Sequence, residues 1–172
     1  MTEKRIREIL GRVADRSLTA AEAFKQLREL PFDDLGFAKL DNHRTLRRGV
    51  PEVIFGEGKS AEQLAIIGRR VMAAGSNLIV TRLAPDKARA VKRKLRNLRY
   101  HQDARIGTIV KQRVIPVGHG VVTVLTAGTS DIPVAEEAAI CAELFGNRVA
   151  RIYDVGVAGI HRLTANLETI RQ

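Results

Sequence analysis

Val121-Val122-Thr123-Val124-Leu125-Thr126-Ala127-Gly128-Thr129-Ser130-Asp131, followed by Ile132-Pro133-Val134-Ala135-Glu136-Glu137, decides the fold. An uncharged, β-branched run enters a small, hydroxyl-rich loop that opens a helix. The run reads as a strand buried on both faces, as at the centre of a parallel sheet. Pro133 suits a first helical turn, where backbone N–H groups have no partner within the helix. Those free groups, the positive end of the helix dipole and the hydroxyls of Thr126, Thr129 and Ser130 form a candidate anion cradle. The plainer alternative is a strand-to-helix turn in which Ser130 or Asp131 caps the helix.

Downstream, Val134, Ala138, Cys141, Ala142 and Phe145 form an apolar stripe, and Gly146 sits where a C-terminal glycine is expected. Cys141 therefore reads as core, with no activating charge beside it. A second strand, 149–154, leads through Val155-Gly156-Val157-Ala158-Gly159 to a helix carrying His161, Leu163, Leu167 and Ile170. Two parallel strands with two helices cannot cover both faces of a doubly wound sheet. The expectation is that further strands come from residues 51–110, or that the chain is a fragment of a longer protein.

Upstream of the junction the order is β-α-β-α-β. Val53-Ile54-Phe55 is a strand, Ser60-Ala61-Glu62-Gln63 caps a helix with Leu64, Ile67 and Val71 inward, and Gly75 closes it. Asn77-Leu78-Ile79-Val80-Thr81 is the next strand, a basic helix follows from Pro85, and 106–110 is the third. Alternation of this kind implies a mostly parallel sheet. Before it, Ile6, Ile9, Leu10 and Val13 mark one helix; Thr19-Ala20-Ala21-Glu22 caps a second with Ala23, Phe24, Leu27 and Leu30 inward, stopped by Pro31. Residues 33–50 read as a connector with at most a short helix. The resulting division is 1–50, helices and connector; 51–117, a small α/β domain; and 118–172.

The net charge of +10 is unevenly spread: residues 51–117 hold 14 basic and 5 acidic side chains, whereas 118–172 hold 4 and 6. Lys87, Arg89, Lys92, Arg93, Lys94, Arg96 and Arg99 crowd one segment in which Ala88, Val91, Leu95 and Leu98 keep helical spacing. Such a segment can track a nucleic-acid backbone, but no aromatic residues interleave for stacking, so a solvated face is the reading taken. Nucleic acid is not expected as a partner. With 45% hydrophobic residues the composition is globular, and no continuous apolar run approaches the roughly 18 residues of a membrane span. One cysteine excludes an internal disulfide, and with four unpaired histidines there is no metal signature. A reducing cytoplasm is the expected location.

Two segments carry a resemblance. Thr126-Ala127-Gly128-Thr129-Ser130-Asp131 with Pro133 to Ala138, and Arg151-Ile152-Tyr153-Asp154-Val155-Gly156-Val157-Ala158-Gly159-Ile160-His161-Arg162-Leu163, closely resemble the LarB family of nickel-pincer cofactor assembly. Residues 34–38 and Gly49-Val50-Pro51-Glu52-Val53-Ile54-Phe55-Gly56-Glu57-Gly58-Lys59 resemble it too, so the likeness runs from about residue 34 onward. The implied fold is α/β: N-terminal helices, the small β-α-β-α-β segment, then the first half of a parallel three-layer domain similar to aminoimidazole ribonucleotide carboxylase (PurE), a flavodoxin-like arrangement.

The resemblance also implies chemistry. The family synthesises pyridinium-3,5-biscarboxylic acid mononucleotide: it carboxylates the pyridinium ring of nicotinic acid adenine dinucleotide with CO2 or bicarbonate and hydrolyses the phosphoanhydride to release AMP. Thr126, Gly128, Thr129, Ser130, Asp131 and Arg162 are implied to bind substrate, with His161 near the carboxylation centre. A thiolate adds to the ring first and a carboxylate later removes a proton. Neither family residue is expected within these 172 residues, and Cys141 does not take the nucleophile's place. The sequence itself identifies no cofactor; the resemblance admits Mg2+. A homo-oligomer is expected. Two alternatives stay open: a purine-pathway carboxylase or mutase of the same fold, and a non-catalytic nucleic-acid or regulatory module using segment 87–99.

Overall fold

The computed structural model describes residues 3–28, 32–41, 44, 48–156 and 159–171. It opens with α1 (Glu3–Ala14) and α2 (Ala20–Arg28). The expected capping box starts α2: the Glu22 carboxylate accepts from the Thr19 N–H at 2.9 Å, and the Glu22 N–H donates to Thr19 Oγ1 at 3.2 Å. Ile9, Leu18 and Ala23 form a small core with Val13 and Leu27. Leu10 and Phe24, expected inward, are exposed. The residues that close the seam between the helices are Ile9 and Ala23. Leu30 and Pro31 lie outside the described residues.

The expected connector contains an antiparallel hairpin, β1 (Phe32–Asp34) and β2 (Lys39–Asp41), turning through Gly36 at φ 79°. Its strands are three residues each, too short for a period of two to show in the sequence. Leu40, with Leu35 and Ala38, packs the hairpin onto the main core. Residues 42–43 and 45–47 of the same connector lie outside the described residues.

That core belongs to a four-stranded sheet built from β3 (Val53–Phe55), α3 (Ala61–Ala73), β4 (Leu78–Thr81), α4 (Pro85–Lys94), β5 (Arg99–His101) and β6 (Ile106–Ile109). The Ser60–Gln63 capping box opens α3 as expected. Strand order is β3-β4-β6-β5. The β3–β4 pair is parallel, but β6 runs antiparallel to both β4 and β5, which corrects the expectation of a mostly parallel sheet.

The cause is an early helix end. Leu95 leaves helical geometry (φ −127°, ψ 82°), the Leu98 N–H donates to the Leu95 carbonyl at 2.9 Å, and the chain enters a hairpin that turns through Arg105 at φ 48°. Leu95 and Leu98 are buried from this turn rather than from a helix, and Arg96 and Arg99 lie off the helix they were assigned to.

Alternation sorts the sheet's two faces. Leu78, Val80 and Ile109 face the core shared with α3 and α4, while Ile79 and Ile106 pack against the opposite side. That second side is covered by α5 (Ile132–Leu144), through Ile140, Cys141, Leu144 and Phe145.

The remaining elements are β7 (Val121–Leu125), a 3-10 turn at Thr129–Asp131 that runs into α5, β8 (Arg148–Ile152), α6 (His161–Thr164) and α7 (Leu167–Ile170). The last two replace the single helix expected. β7 and β8 form their own two-stranded parallel sheet. β7 is not buried on both faces: Val122 is 41% exposed and Leu125 40%. α5 contacts this pair as well as the four-stranded sheet, and so is wedged between the two. It is apolar nearly all round, so periodicity alone does not select its inner face. Ala135, Ala139 and Ile140 are buried, whereas Val134 and Ala138, placed on the inner stripe by spacing, are exposed.

Candidate functional site

The ladder of the β7–β8 pair continues past both strands. The Thr126 N–H donates to the Ile152 carbonyl at 3.2 Å, the Val155 N–H to the Thr126 carbonyl at 3.0 Å, and the Gly156 N–H to the Ala127 carbonyl at 2.8 Å. Loops 126–131 and 153–156 therefore leave the carboxyl ends of two parallel strands side by side, where open α/β sheets bind ligands. Thr126 is buried beneath them, and its Oγ1 accepts the Asp154 N–H at 3.0 Å. It pins one loop to the other, while Thr129, Ser130 and Asp131 stand exposed above.

Asp131 closes its loop rather than capping α5. Its Oδ2 accepts the Gly128 N–H at 3.2 Å and its own N–H donates to the Gly128 carbonyl at 3.3 Å, with no side-chain capping bond to the helix. Gly128 itself sits in extended backbone (φ −132°), which any residue adopts, and a Cβ added there would meet only Ser130 Oγ, at 3.8 Å. Neither backbone nor packing demands glycine at this position. What glycine leaves is open space beside a half-exposed main chain, which lets a ligand approach closely.

The second loop supplies a cation. Asp154 is in left-handed conformation (φ 58°), and Arg162 returns from α6 to place Nη1 2.9 Å from the Asp154 carbonyl oxygen and 3.0 Å from Asp154 Oδ2. Gly156 (φ 78°) makes room for it: a Cβ there would meet the guanidinium at 2.6 Å. His161, one residue earlier, is exposed, its ring folded back over Gly159. The structure thus brings Arg162 to the loop pair through Asp154. Among the described residues no hydrogen bond or ion pair joins Asp131 to His161 or Arg162. Asp154 carries no sequence signal as a site residue; its positive φ between a strand end and a glycine is visible only in the backbone.

Behind the loops lies a charged brace. The Arg151 guanidinium reaches Glu136 at 3.1 Å and Glu143 at 2.6 Å, and the Tyr153 hydroxyl donates to Glu136 Oε1 at 2.6 Å. Burial, then that carboxylate, pushes the Tyr153 hydroxyl up to about 12. Glu137, next along α5, accepts the Arg82 N–H at 2.8 Å and ties the helix to the end of β4. Cys141 is half-buried against the four-stranded sheet, and burial followed by the Glu137 charge pushes its thiol up to about 11. At pH 8 a thiol of that acidity is ionised to about one part in a thousand, so it should react slowly with a disulfide reagent. The rate should climb about tenfold per pH unit without levelling below pH 11; a plateau near neutrality would mean an activated thiolate.

Among the described residues no cluster of histidine, cysteine and acidic side chains is arranged to hold a metal ion, and no described helix is long and apolar enough to cross a membrane.

Comparison with known proteins places this architecture. Residues 32–112 match the sequence profile of the LarB/PurE-like N-terminal domain, a span that runs from the β1–β2 hairpin to just beyond β6. The chain is also 34% identical over 167 residues to an uncharacterized protein of Methanocaldococcus jannaschii, an alignment covering 93% of this chain and 65% of that protein. The chain therefore spans about two-thirds of the length of this relative. Over residues 32–112, then, the chain carries a domain similar to the LarB/PurE-like N-terminal domain.

Proposed function

We infer that residues 118–172 form the first β-α-β-α of a PurE-like nucleotide-binding domain, and that the protein serves nickel-pincer cofactor synthesis by binding nicotinic acid adenine dinucleotide. The reaction is carboxylation of the pyridinium ring with release of AMP. The supporting observation is the paired loop at the carboxyl ends of β7 and β8. It combines exposed Thr129, Ser130 and Asp131, open space beside Gly128 and a guanidinium held at Asp154.

In this reading Gly128 to Ser130 and the start of α5 hold a phosphate. Asp131 spends one carboxylate oxygen on the Gly128 N–H and offers the other to a ribose hydroxyl. Arg162, half-exposed, exchanges Asp154 for an anionic group of the substrate. His161 stands beside it to bind an anion or relay a proton. Cys141 takes no part in the chemistry: its thiol is half-buried against the four-stranded sheet and held protonated. Homo-oligomers and a cytoplasmic location belong to the same reading.

Calorimetric titration of the chain with nicotinic acid adenine dinucleotide tests it. Asp131→Asn should weaken binding about tenfold to a hundredfold, the worth of one charge-assisted hydrogen bond of about 1.5–3 kcal/mol. The fold should persist, because asparagine still offers an oxygen to the Gly128 N–H. Unchanged affinity removes Asp131 from the site. Gly128→Ala separates binding from folding: stability should stay within about 0.5 kcal/mol of the parent, while dinucleotide affinity falls. Preference for a purine ribonucleotide over the dinucleotide would favour the carboxylase or mutase alternative.

A further inference from the structure

The second face of the four-stranded sheet is covered only in part. α5 seals Ile79 and Ile106, but the edge strand β5 carries Arg99 and His101, two residues apart and so on one face, beside Thr108 of β6. Between these residues and α5 lies a cleft of about 430 Å3, within the size range of small-molecule sites. Val110, Val114, Ile140 and Leu144 make its apolar walls.

Its polar groups are few and specific. The Thr108 hydroxyl, only 3% exposed, lies 3.1 Å from His101 Nε2, which fixes the ring and leaves its other nitrogen facing outward from that bond. Burial first, and the Arg99 charge second, hold His101 below the ordinary histidine value, so the ring is neutral near pH 7. Arg99 has no ion-pair partner among the described residues. Glu143, the acidic residue of the lining, is paired with Arg151 at 2.6 Å, a guanidinium it shares with Glu136. The cleft thus presents one cation without an ion-pair partner among the described residues, Arg99, beside a neutral imidazole and an apolar wall.

We propose that this cleft binds a small monocarboxylate with an apolar body, its carboxylate on Arg99 and its body against Val110, Val114, Ile140 and Leu144. A cationic ligand would meet Arg99 unfavourably. A phosphate dianion would find one cation and a carboxylate nearby, and a neutral apolar molecule would leave the guanidinium unmatched. The site draws on the sheet and on α5 together, so an occupant stabilises their packing. It is separate from the loops at the ends of β7 and β8.

Benzoate is a suitable probe, with benzyl alcohol as its uncharged counterpart. In NMR titrations of the full chain, benzoate should shift the His101 ring and Thr108 methyl signals saturably while leaving Gly128 and Asp131 signals in place. Benzyl alcohol should bind at least about tenfold more weakly, and Arg99→Gln, an exposed substitution, should weaken benzoate by about tenfold or more. The proposal is overturned if the two probes bind equally, if Arg99→Gln leaves benzoate affinity unchanged, or if the benzoate shifts fail to saturate or centre on Gly128 to Asp131. Dinucleotide affinity measured in the same Arg99→Gln protein should equal the parent's, which keeps this test independent of the loop site.

Discussion

Gly146→Ala is expected to destabilise the protein by roughly 3 kcal/mol or more, a large effect for one added methyl group. Gly146 ends α5 at φ 86°, a left-handed conformation that costs an L-residue about 1–2 kcal/mol. The second contribution is steric. A Cβ there would be driven into the Ile115 carbonyl oxygen and would stand 3.1 Å from Val117 Cγ2. The neighbours have little room to yield, because the Val117 N–H donates to the Gly146 carbonyl at 2.9 Å and holds the linker against the helix end. Chemical denaturation of the variant checks this; a loss below about 1 kcal/mol would mean that the linker moves freely from the helix. Gly128→Ala is the matched control, since its φ is ordinary and its surroundings open.

Ile140→Ala is expected to cost about 2–5 kcal/mol, the range for removing a large aliphatic side chain from a packed core. Ile140 is the buried residue by which α5 meets Ile79, Ala104 and Ile106 on the second face of the sheet. A cavity there loosens the contact between the helix and the sheet, and the same contact shelters Cys141. The variant's Cys141 should therefore react faster with a disulfide reagent under native conditions, in parallel with its lost stability. Loss of stability without any gain in thiol reactivity would show that the helix stays seated. Leu64→Ala, in the core on the opposite face, should cost a similar amount and leave thiol reactivity as in the parent.

Much of the local structure was legible because it depends on residues a few positions apart. Thr19 and Glu22, and Ser60 and Gln63, cap their helices as their spacing implies. The strand, small loop and helix from 121 to 144 are where the run of apolar residues, the Gly128 to Asp131 loop and Pro133 placed them. The basic segment ends differently from what its spacing implies. Leu95 and Leu98 keep helical spacing, yet burial at that spacing is also satisfied by a turn that leads into an edge strand. The strands at 32–34, 39–41 and 99–101 are three residues long and mostly polar, so they lack the apolar run that marks 53–55.

The candidate site divides in the same way. Loop composition pointed to Gly128, Thr129, Ser130 and Asp131, and the resemblance to His161 and Arg162, but nothing local says that Thr126 bonds the Asp154 N–H or that Arg162 folds back onto Asp154. By itself the sequence determined helix starts and the parallel β7–α5–β8 unit, since caps and runs of one polarity act over short stretches of chain. Only the tertiary structure decided the direction of β6, the inner face of α5 and the Arg99–His101 cleft. α5 is apolar nearly all round, so which side it buries depends on the two surfaces between which it is held, and those are formed by residues far away in the chain.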